Sequence, residues 1–159
     1  MKPMIRQSRR ENGQAMIEFA LTITFLTILI FSIVEMLGFI YTYSVMANAA
    51  KEGVRYAVVH GANNSSPSGP PTQVTPSSPP CTSSNTSANV AAVSTQAKNF
   101  AGFSLHDTSN MNVYVCYLDG NNSVNGAVAV TISYPFRPLF GLGWPSATLN
   151  ANAAGRIVF

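Results

Sequence analysis

The chain has 159 residues, enough for one ordinary domain, and only 9% of them are charged, against roughly 25% in typical soluble domains. Its formal net charge of +3 lies at the N-terminus: residues 1–13 hold four cationic side chains and one acidic one, whereas five cations balance five anions in the rest of the chain. Nucleic-acid binding needs a basic stripe in the folded part, so this distribution excludes a nucleic-acid partner.

A long apolar helix is predicted directly after this basic leader. The stretch from Phe19 to Val34 has no charged residue, Gly or Pro, and the apolar run continues after Glu35 to Ala50. About 20 residues cross the roughly 30 Å of membrane hydrocarbon, so the stretch is long enough to span a bilayer. The basic leader predicts a cytoplasmic N-terminus, because Lys and Arg resist translocation. We expect the helix to continue to about Val59, since no proline interrupts it.

The position of the span along this helix is open between two placements. In one, Glu18 and Glu35, about 25 Å apart on a helical rise, lie near opposite membrane faces. In the other, the span covers residues 22–43 and Glu35 is buried. In either placement an outer interfacial belt suits the aromatic residues Phe39, Tyr41 and Tyr43.

Small side chains at Ala49, Gly53 and Ala57 share one face of the helix beyond the predicted span. Faces of this kind permit close helix contact. Alanine is also simply a good helix former. Two explanations for these small residues therefore stay open: close packing against another helix, and helix propensity alone.

Residues 61–89 change character abruptly. Of these 29 residues, 24 are Gly, Asn, Ser, Thr or Pro, and none carries a formal charge. Such a segment buries too little apolar surface to offset its ordering entropy. We interpret it as a linker or long loop.

Residues 90–159 are predicted to form a small exported domain. Apolar residues recur at helical spacing from Val90 to Phe100, with Asn89 as a cap and Gly102 as the end. Alternating runs beginning at Met111 and at Ala127 predict an antiparallel hairpin, and a weaker third strand is predicted at 148–154, after an irregular aromatic stretch. The predicted fold class is therefore α+β. Its parts are a leader (1–13), a transmembrane and extended helix (14–60), a linker or loop (61–89) and the domain (90–159).

The most specific local feature is RRENGQAMIEFALT, residues 9–22. It resembles the cleavage site of prepilins, in which a basic leader ends in Gly and the apolar helix starts at once. With Gly13 as the last leader residue, Gln14 becomes the first residue of the mature chain and Glu18 the fifth.

A carboxylate at the start of a spanning helix is costly, about 2.5 to 3.5 kcal/mol at the bilayer midplane and less near the interface. Pairing of Glu18 with the new α-amine on Gln14 of a neighbouring subunit would remove that penalty during assembly, while Phe19 continues the apolar face. The alternative is that Glu18 lies harmlessly at headgroup level.

The wider pattern resembles the TadE-like pseudopilin family of tight-adherence pilus systems. The similarity rests on GQAMIEFAL, the apolar run and NAAKEGVRYAVVHG, roughly residues 10–61, and more loosely on AVTISYPFRPLFGL. It implies a pilin-type helix and a minor pilin or pseudopilin processed by a membrane prepilin peptidase at Gly13 and Gln14. It implies as partners other pilin subunits, an inner-membrane assembly platform and the lipid bilayer. The implied role is structural and not enzymatic, with no cofactor and no metal.

Cys81 and Cys116 are too few for a zinc site and are not in a C-x-x-C arrangement. With both residues outside the membrane, oxidising conditions favour a disulfide between them. On the chain-entropy model such a bridge contributes roughly 3 to 4 kcal/mol. A buried free thiol at Cys116 is the alternative.

Two other classes of protein compete with this interpretation. Ala47-Asn48-Ala49 has the A-x-A form of an ordinary signal-peptide site, which suggests a secreted or signal-anchored adhesin, but the apolar stretch before it exceeds the 7 to 15 residues of a signal core. His106 beside Asp107 suggests a hydrolase, but the neighbouring GFSLHD lacks the second glycine of G-x-S-x-G. The sequence favours the structural pseudopilin.

Overall fold

A computed structural model describes residues 8–84, 87–105, 107–141 and 146–159. Along these ranges the chain forms α1 (Ser8–Val59), α2 (Ala88–Gly102), β1 (Asn112–Tyr117), β2 (Ala127–Phe136) and β3 (Ala147–Arg156). A long N-terminal helix followed by a short helix and an antiparallel sheet confirms the predicted α+β class. Two parts of the sequence discussed above lie outside the described residues: residues 1–7, which are most of the predicted leader, and His106.

The chain divides into two compact units. The first combines Met1–Gly38 with Pro138–Pro145, and the second combines Phe39–Arg137 with Ser146–Phe159. Helix α1 contributes residues to both.

In the first unit, α1 is apolar on every side and most of its side chains are exposed. The helix from Gly13 to Val59 is long and apolar enough to cross a membrane by length and composition, and almost none of its most apolar window is buried. A helix that is hydrophobic all round suits lipid. Its hydroxyl groups are satisfied internally, each donating to the carbonyl four residues earlier at 2.7–2.9 Å: Thr22, Thr24, Thr27 and Ser32.

The second unit contains a three-stranded antiparallel sheet in the order β1-β2-β3. The central strand pairs Val130 with Val115 on one side and with Ala153 on the other. β2 extends through Pro135 to Phe136, so this part of the stretch expected to be irregular is strand. Proline is tolerated there because pairing with β1 stops at Ser133, which leaves the N–H side of Pro135 without a ladder partner to lose.

The main core lies between one face of the sheet and the helices α1 and α2. Ala49 and Ala57 are fully buried in it, and a Cβ atom placed on Gly53 would lie 3.3 Å from Cβ of Ala97 on α2. The small-residue face of α1 therefore serves close packing within this unit. The larger side chains of the core are aliphatic or sulfur-containing, together with one tyrosine and one phenylalanine: Val45, Met46, Val54, Val90, Val93, Met111, Val115, Tyr117, Val128, Val130, Ile132, Phe136, Leu149 and Ile157.

The Pro/Ser-rich segment packs along the sheet as a long loop. Val74 N–H donates to the Gly120 carbonyl at 2.7 Å, and Cys81 N–H donates to Thr131 Oγ1 at 2.9 Å. The Ser84 hydroxyl accepts from Val115 N–H at 3.0 Å and can donate to the Val113 carbonyl. Since β1 is an edge strand, the two contacts of Ser84 occupy backbone groups of β1 that would otherwise be open to pairing with another chain.

Helix α2 is capped by Ser87. This residue has extended backbone angles, and its side-chain oxygen accepts from Val90 N–H at 3.3 Å. The prediction of Asn89 as the cap is wrong, because the helix already begins at Ala88. The predicted end at Gly102 is confirmed.

Candidate processing and assembly site on the N-terminal helix

The predicted processing and assembly residues lie on the first turns of α1 described with side chains. Gln14 and Glu18 are four residues apart and so share a face of the helix, and Gln14 Nε2 donates to Glu18 Oε1 at 3.1 Å. Both side chains are exposed. The amide of Gln14 therefore provides Glu18 with one hydrogen-bond donor from its own chain.

Glu18 is surrounded by exposed apolar side chains. Phe19 is 69% exposed, and Met16 and Ile17 are exposed to a similar extent. A carboxylate in such a surface would have to be desolvated if lipid or another apolar helix covered it, which is unfavourable unless a charged or hydrogen-bonding partner comes with the covering surface. The arrangement can accept a cation supplied by a neighbouring molecule.

Gly13 has no packing role in its own helix. A Cβ atom placed there would meet nothing within 4 Å, and Gly13 is not among the described residues with a positive φ. Glycine within a helix is less favourable than alanine by about 1 kcal/mol. Neither packing nor backbone conformation therefore explains a glycine at this position.

Glu35 is the second carboxyl group on the apolar part of α1, and it differs from Glu18 in being only 1% exposed. Its Oε1 accepts a short hydrogen bond from the Phe140 N–H, and the Phe140 ring stacks on Phe31 with the centroids 4.6 Å apart. Among the described residues, Oε2 has no hydrogen-bond partner. This burial is due to the contact with Phe140, so it holds for either placement of the membrane span along α1. Sequence reasoning did not find Phe140, because 105 positions separate it from Glu35 and no local pattern links them.

Cys81 and Cys116 form a disulfide, with a Cα–Cα distance of 6.1 Å. Both are buried beside Ala129 on the face of the sheet opposite to the main core, where Tyr114 and Leu118 pack against them. The alternative of a free thiol at Cys116 is wrong in this structure. The bridge ties the end of the Pro/Ser-rich loop to β1.

His60 and Asp107 have structural contacts in the described part of the chain. The His60 ring stacks on Tyr56 at a centroid distance of 4.0 Å, and its Nδ1 lies 2.8 Å from the Tyr56 carbonyl. Asp107 Oδ1 accepts from Ser109 N–H at 2.8 Å, as in an Asx turn. Within the described ranges, no three His, Cys, Asp or Glu side chains come together as a metal site would require.

An apolar helix that fits a single-pass membrane anchor, with an exposed carboxyl group near its start and a small α+β domain after it, is the arrangement predicted for the pilin-type class. Within this class, the family model for TadE-like protein matches residues 13–55. The match confirms the resemblance to the TadE-like family over these residues of α1. No curated protein and no solved structure matches the chain.

Proposed function

We propose that this protein is a minor pilin or pseudopilin, a structural and non-enzymatic component in the assembly of a tight-adherence pilus. Its leader is cytoplasmic, α1 crosses the bacterial inner membrane once, and the C-terminal domain is exported. Its partners are other pilin subunits, a prepilin peptidase, the inner-membrane assembly platform and the bilayer. The observation that carries the proposal is the family match beginning at Gly13, five residues before an exposed carboxyl group on an apolar helix.

Cleavage follows Gly13 and makes Gln14 the first residue of the mature chain. The absence of any packing or conformational need for Gly13 supports its recognition by the peptidase. Mass spectrometry of the membrane-extracted protein is expected to find a mature N-terminus at Gln14 and, for Gly13→Leu, an intact leader. The Leu variant leaves the contacts within the helix undisturbed, so retention of its leader reports on the peptidase. An intact Met1 in the wild type, or a mature terminus at another residue, contradicts this step.

Glu18 neutralises the α-amine of Gln14 on a neighbouring subunit after cleavage. Its exposure in an apolar surface supports this role, since covering an unpaired carboxylate would be costly. We expect Glu18→Ala and Glu18→Gln to insert and be cleaved normally but to reduce piliation by about tenfold or more, the equivalent of about 1.4 kcal/mol or more. Glu18→Gln is the sharper variant because it keeps the size of the side chain and removes only its charge.

Thr24→Ala is the matched control for Glu18. Its hydroxyl bonds only to its own helix in the described structure, at Ala20, and it lies exposed on the same apolar segment. We expect piliation at the wild-type level in this control, counted by electron microscopy of sheared filaments. Normal piliation in both Glu18 variants would show that the carboxyl group is merely interfacial.

The secreted or signal-anchored adhesin is less compatible with the packing of α1. Ala49 and Ala50, which flank the A-x-A cleavage position, are fully buried in the core of the second unit. Cleavage between them would remove Val45 and Met46 from that core. The same mass spectrum distinguishes these functions, because a secreted adhesin would begin at Ala50 and a signal-anchored one would keep Met1.

A further inference from the structure

The connection between β2 and β3 presents large apolar side chains to the surroundings. Leu139 is 74% exposed and Phe140 is 47% exposed in the first unit. The second unit contains an apolar core in which side chains of this kind, such as Phe136 and Leu149, are buried, so the exposure of Leu139 and Phe140 is not explained by folding of the domain. Exposed neighbouring apolar side chains on a loop are a typical feature of contact with lipid or protein.

This loop is held against the apolar part of α1 by two contacts. The Phe140 N–H donates to Glu35 Oε1, and the Phe140 ring stacks on Phe31 at a centroid distance of 4.6 Å and an interplanar angle of 26°. Glu35 is 1% exposed, so the contact encloses its carboxyl group. The loop therefore lies at the level of residues 31–35 of the helix.

At residues 31–35, the sides of α1 that do not contact the loop are apolar and suit lipid. Ile33, Val34, Met36 and Leu37 are all exposed around Glu35. Along the helical rise, Glu35 lies eight residues, or about 12 Å, before Tyr43, the last residue of the span that encloses it. A loop attached at Glu35 is thus at the depth of acyl chains when α1 is inserted.

The hydrogen bond between the Phe140 N–H and the Glu35 carboxyl group is also suited to lipid surroundings. A backbone N–H and a carboxyl group each carry a large penalty in hydrocarbon when unpaired. The hydrogen bond satisfies the Phe140 N–H and one carboxyl oxygen of Glu35, Oε1, whereas Oε2 has no partner among the described residues. In water the same bond would compete with solvent and contribute little. The bond therefore lowers the cost of placing both groups at this position of an apolar helix.

We propose that Pro138–Gly141 is a lipid-contacting loop that inserts Leu139 and Phe140 among the acyl chains of the outer leaflet beside α1, with Glu35 as the positioning residue. The connection between β2 and β3 is thereby attached to the membrane beside α1. This inference rests on the proposed insertion of α1.

Fluorescence quenching by brominated lipids tests the insertion of the loop. The full chain is reconstituted in phosphatidylethanolamine and phosphatidylglycerol vesicles containing lipid brominated on its acyl chains, with the single native tryptophan replaced by Trp144→Phe. We expect Leu139→Trp to lose fluorescence to an extent comparable with Phe25→Trp, which lies in the middle of the apolar segment. Val124→Trp, exposed in the β1–β2 connection, is the aqueous control and should keep its fluorescence.

The outcomes separate the two proposals. Quenching of Phe25→Trp without quenching of Leu139→Trp would overturn the lipid-contacting loop and leave the membrane anchor intact. Loss of quenching at both positions would overturn the insertion of α1 itself.

Glu35 variants test the positioning role in the same vesicles. Glu35→Gln keeps an oxygen acceptor for the Phe140 N–H and should retain quenching in the Leu139→Trp background. Glu35→Leu removes the acceptor, so we expect Leu139→Trp to be quenched less while Phe25→Trp is unaffected. Equal quenching of Leu139→Trp in both Glu35 variants would show that Glu35 does not position the loop.

Discussion

At Gly155, in β3, a single missing methyl group determines how closely the sheet approaches α1. A Cβ atom placed there would lie 2.7 Å from Val54 Cγ1 and 3.1 Å from Val58 Cγ2. Real Cβ atoms essentially never approach another heavy atom within 3.0 Å. Because both valines are branched at Cβ and restricted in χ1, the side chains cannot simply turn away. The sheet or the helix must shift instead.

We therefore expect Gly155→Ala to lower the free energy of unfolding by about 1 to 3 kcal/mol, the usual cost of overpacking. Gly102→Ala is the matched control, since a Cβ there meets nothing within 4 Å. Its lower unfolded-state entropy should make it neutral or stabilising by up to about 1 kcal/mol. Urea denaturation of the full chain in detergent, followed by circular dichroism, measures both. Equal stability of the two variants would contradict the close approach at Gly155.

Ionisation of Tyr117 is expected to lower the stability of the fold at alkaline pH. It is fully buried at the end of β1, and this burial raises its pKa above the ordinary 10.0, while a hydrogen bond with Ser68 acts in the opposite direction. The unfolded chain loses this proton near pH 10, whereas the folded chain keeps it. Above that pH the native state binds more protons than the unfolded state. Stability is therefore fully present below about pH 10 and falls as the pH rises further, by up to about 1.4 kcal/mol per pH unit.

Replacing Tyr117 with Phe removes this titrating group. We expect Tyr117→Phe to be less stable than the wild type at neutral pH, because it loses the 3.3 Å contact with the Ser68 hydroxyl. Its stability should nevertheless decline less steeply between about pH 9 and about pH 11. Tyr43→Phe, at an exposed position, should keep the wild-type slope. Parallel pH profiles for Tyr117→Phe and the wild type would exclude Tyr117 as the source of the alkaline decline.

At the scale of elements, the disulfide fixes a loop of low apolar content to the sheet. Cys81 and Cys116 are 35 positions apart, so the bridge restricts a long stretch of the unfolded chain. We expect the double variant Cys81→Ala/Cys116→Ala to lose about 3 to 4 kcal/mol of stability. Reduction should lower the melting temperature of the wild type and leave that of the double variant unchanged. Thiol titration establishes that the wild-type disulfide is fully reduced. If the melting temperature is then unchanged, the disulfide does not stabilise the fold.

The elements themselves could be predicted from local patterns. The end of α1 at Val59 follows from the absence of proline and from the glycine-rich and proline-rich sequence beyond it. The alternation in β1 and β2 identified the hairpin, and even the weak third strand is present at Ala147–Arg156. These features depend on residues close together in the chain, where periodicity is informative.

The contacts that position the candidate sites depend on residues far apart in the chain, and local patterns do not contain them. Ser84 reaches the edge of β1, and Phe140 reaches Glu35, through tertiary packing. The cap at Ser87 was missed for a different reason: Ser87 and Asn89 are both good capping residues, and only the position at which the backbone becomes extended decides between them.

At the scale of the whole molecule, α1 carries two kinds of surface in one helix. Up to about residue 43 most of its apolar side chains are exposed. The exceptions are the buried Glu35 and Thr42 and the partly buried Phe31 and Phe39. From Val45 to Ala57 one face is buried in the domain core, while Lys51 and Arg55 on the opposite side remain exposed. An amphipathic pattern suits a helix that packs on one side and meets water on the other, whereas the first part suits lipid. The change of surface near residue 44 is where we expect the outer membrane interface.

This arrangement predicts the accessibility of the chain's three lysines, Lys2, Lys51 and Lys98. Lys51 lies eight residues, or about 12 Å, beyond Tyr43 and should be outside the membrane with Lys98, whereas Lys2 belongs to the cytoplasmic leader. A membrane-impermeant amine reagent applied to sealed spheroplasts should modify Lys51 and Lys98 of the uncleaved Gly13→Leu variant and leave Lys2 unmodified, as read by peptide mass spectrometry. All three lysines should react after lysis. Modification of Lys2 in sealed spheroplasts, with a cytoplasmic marker protein unlabelled, would show that the N-terminus lies outside the membrane. That result would contradict the proposed orientation of α1.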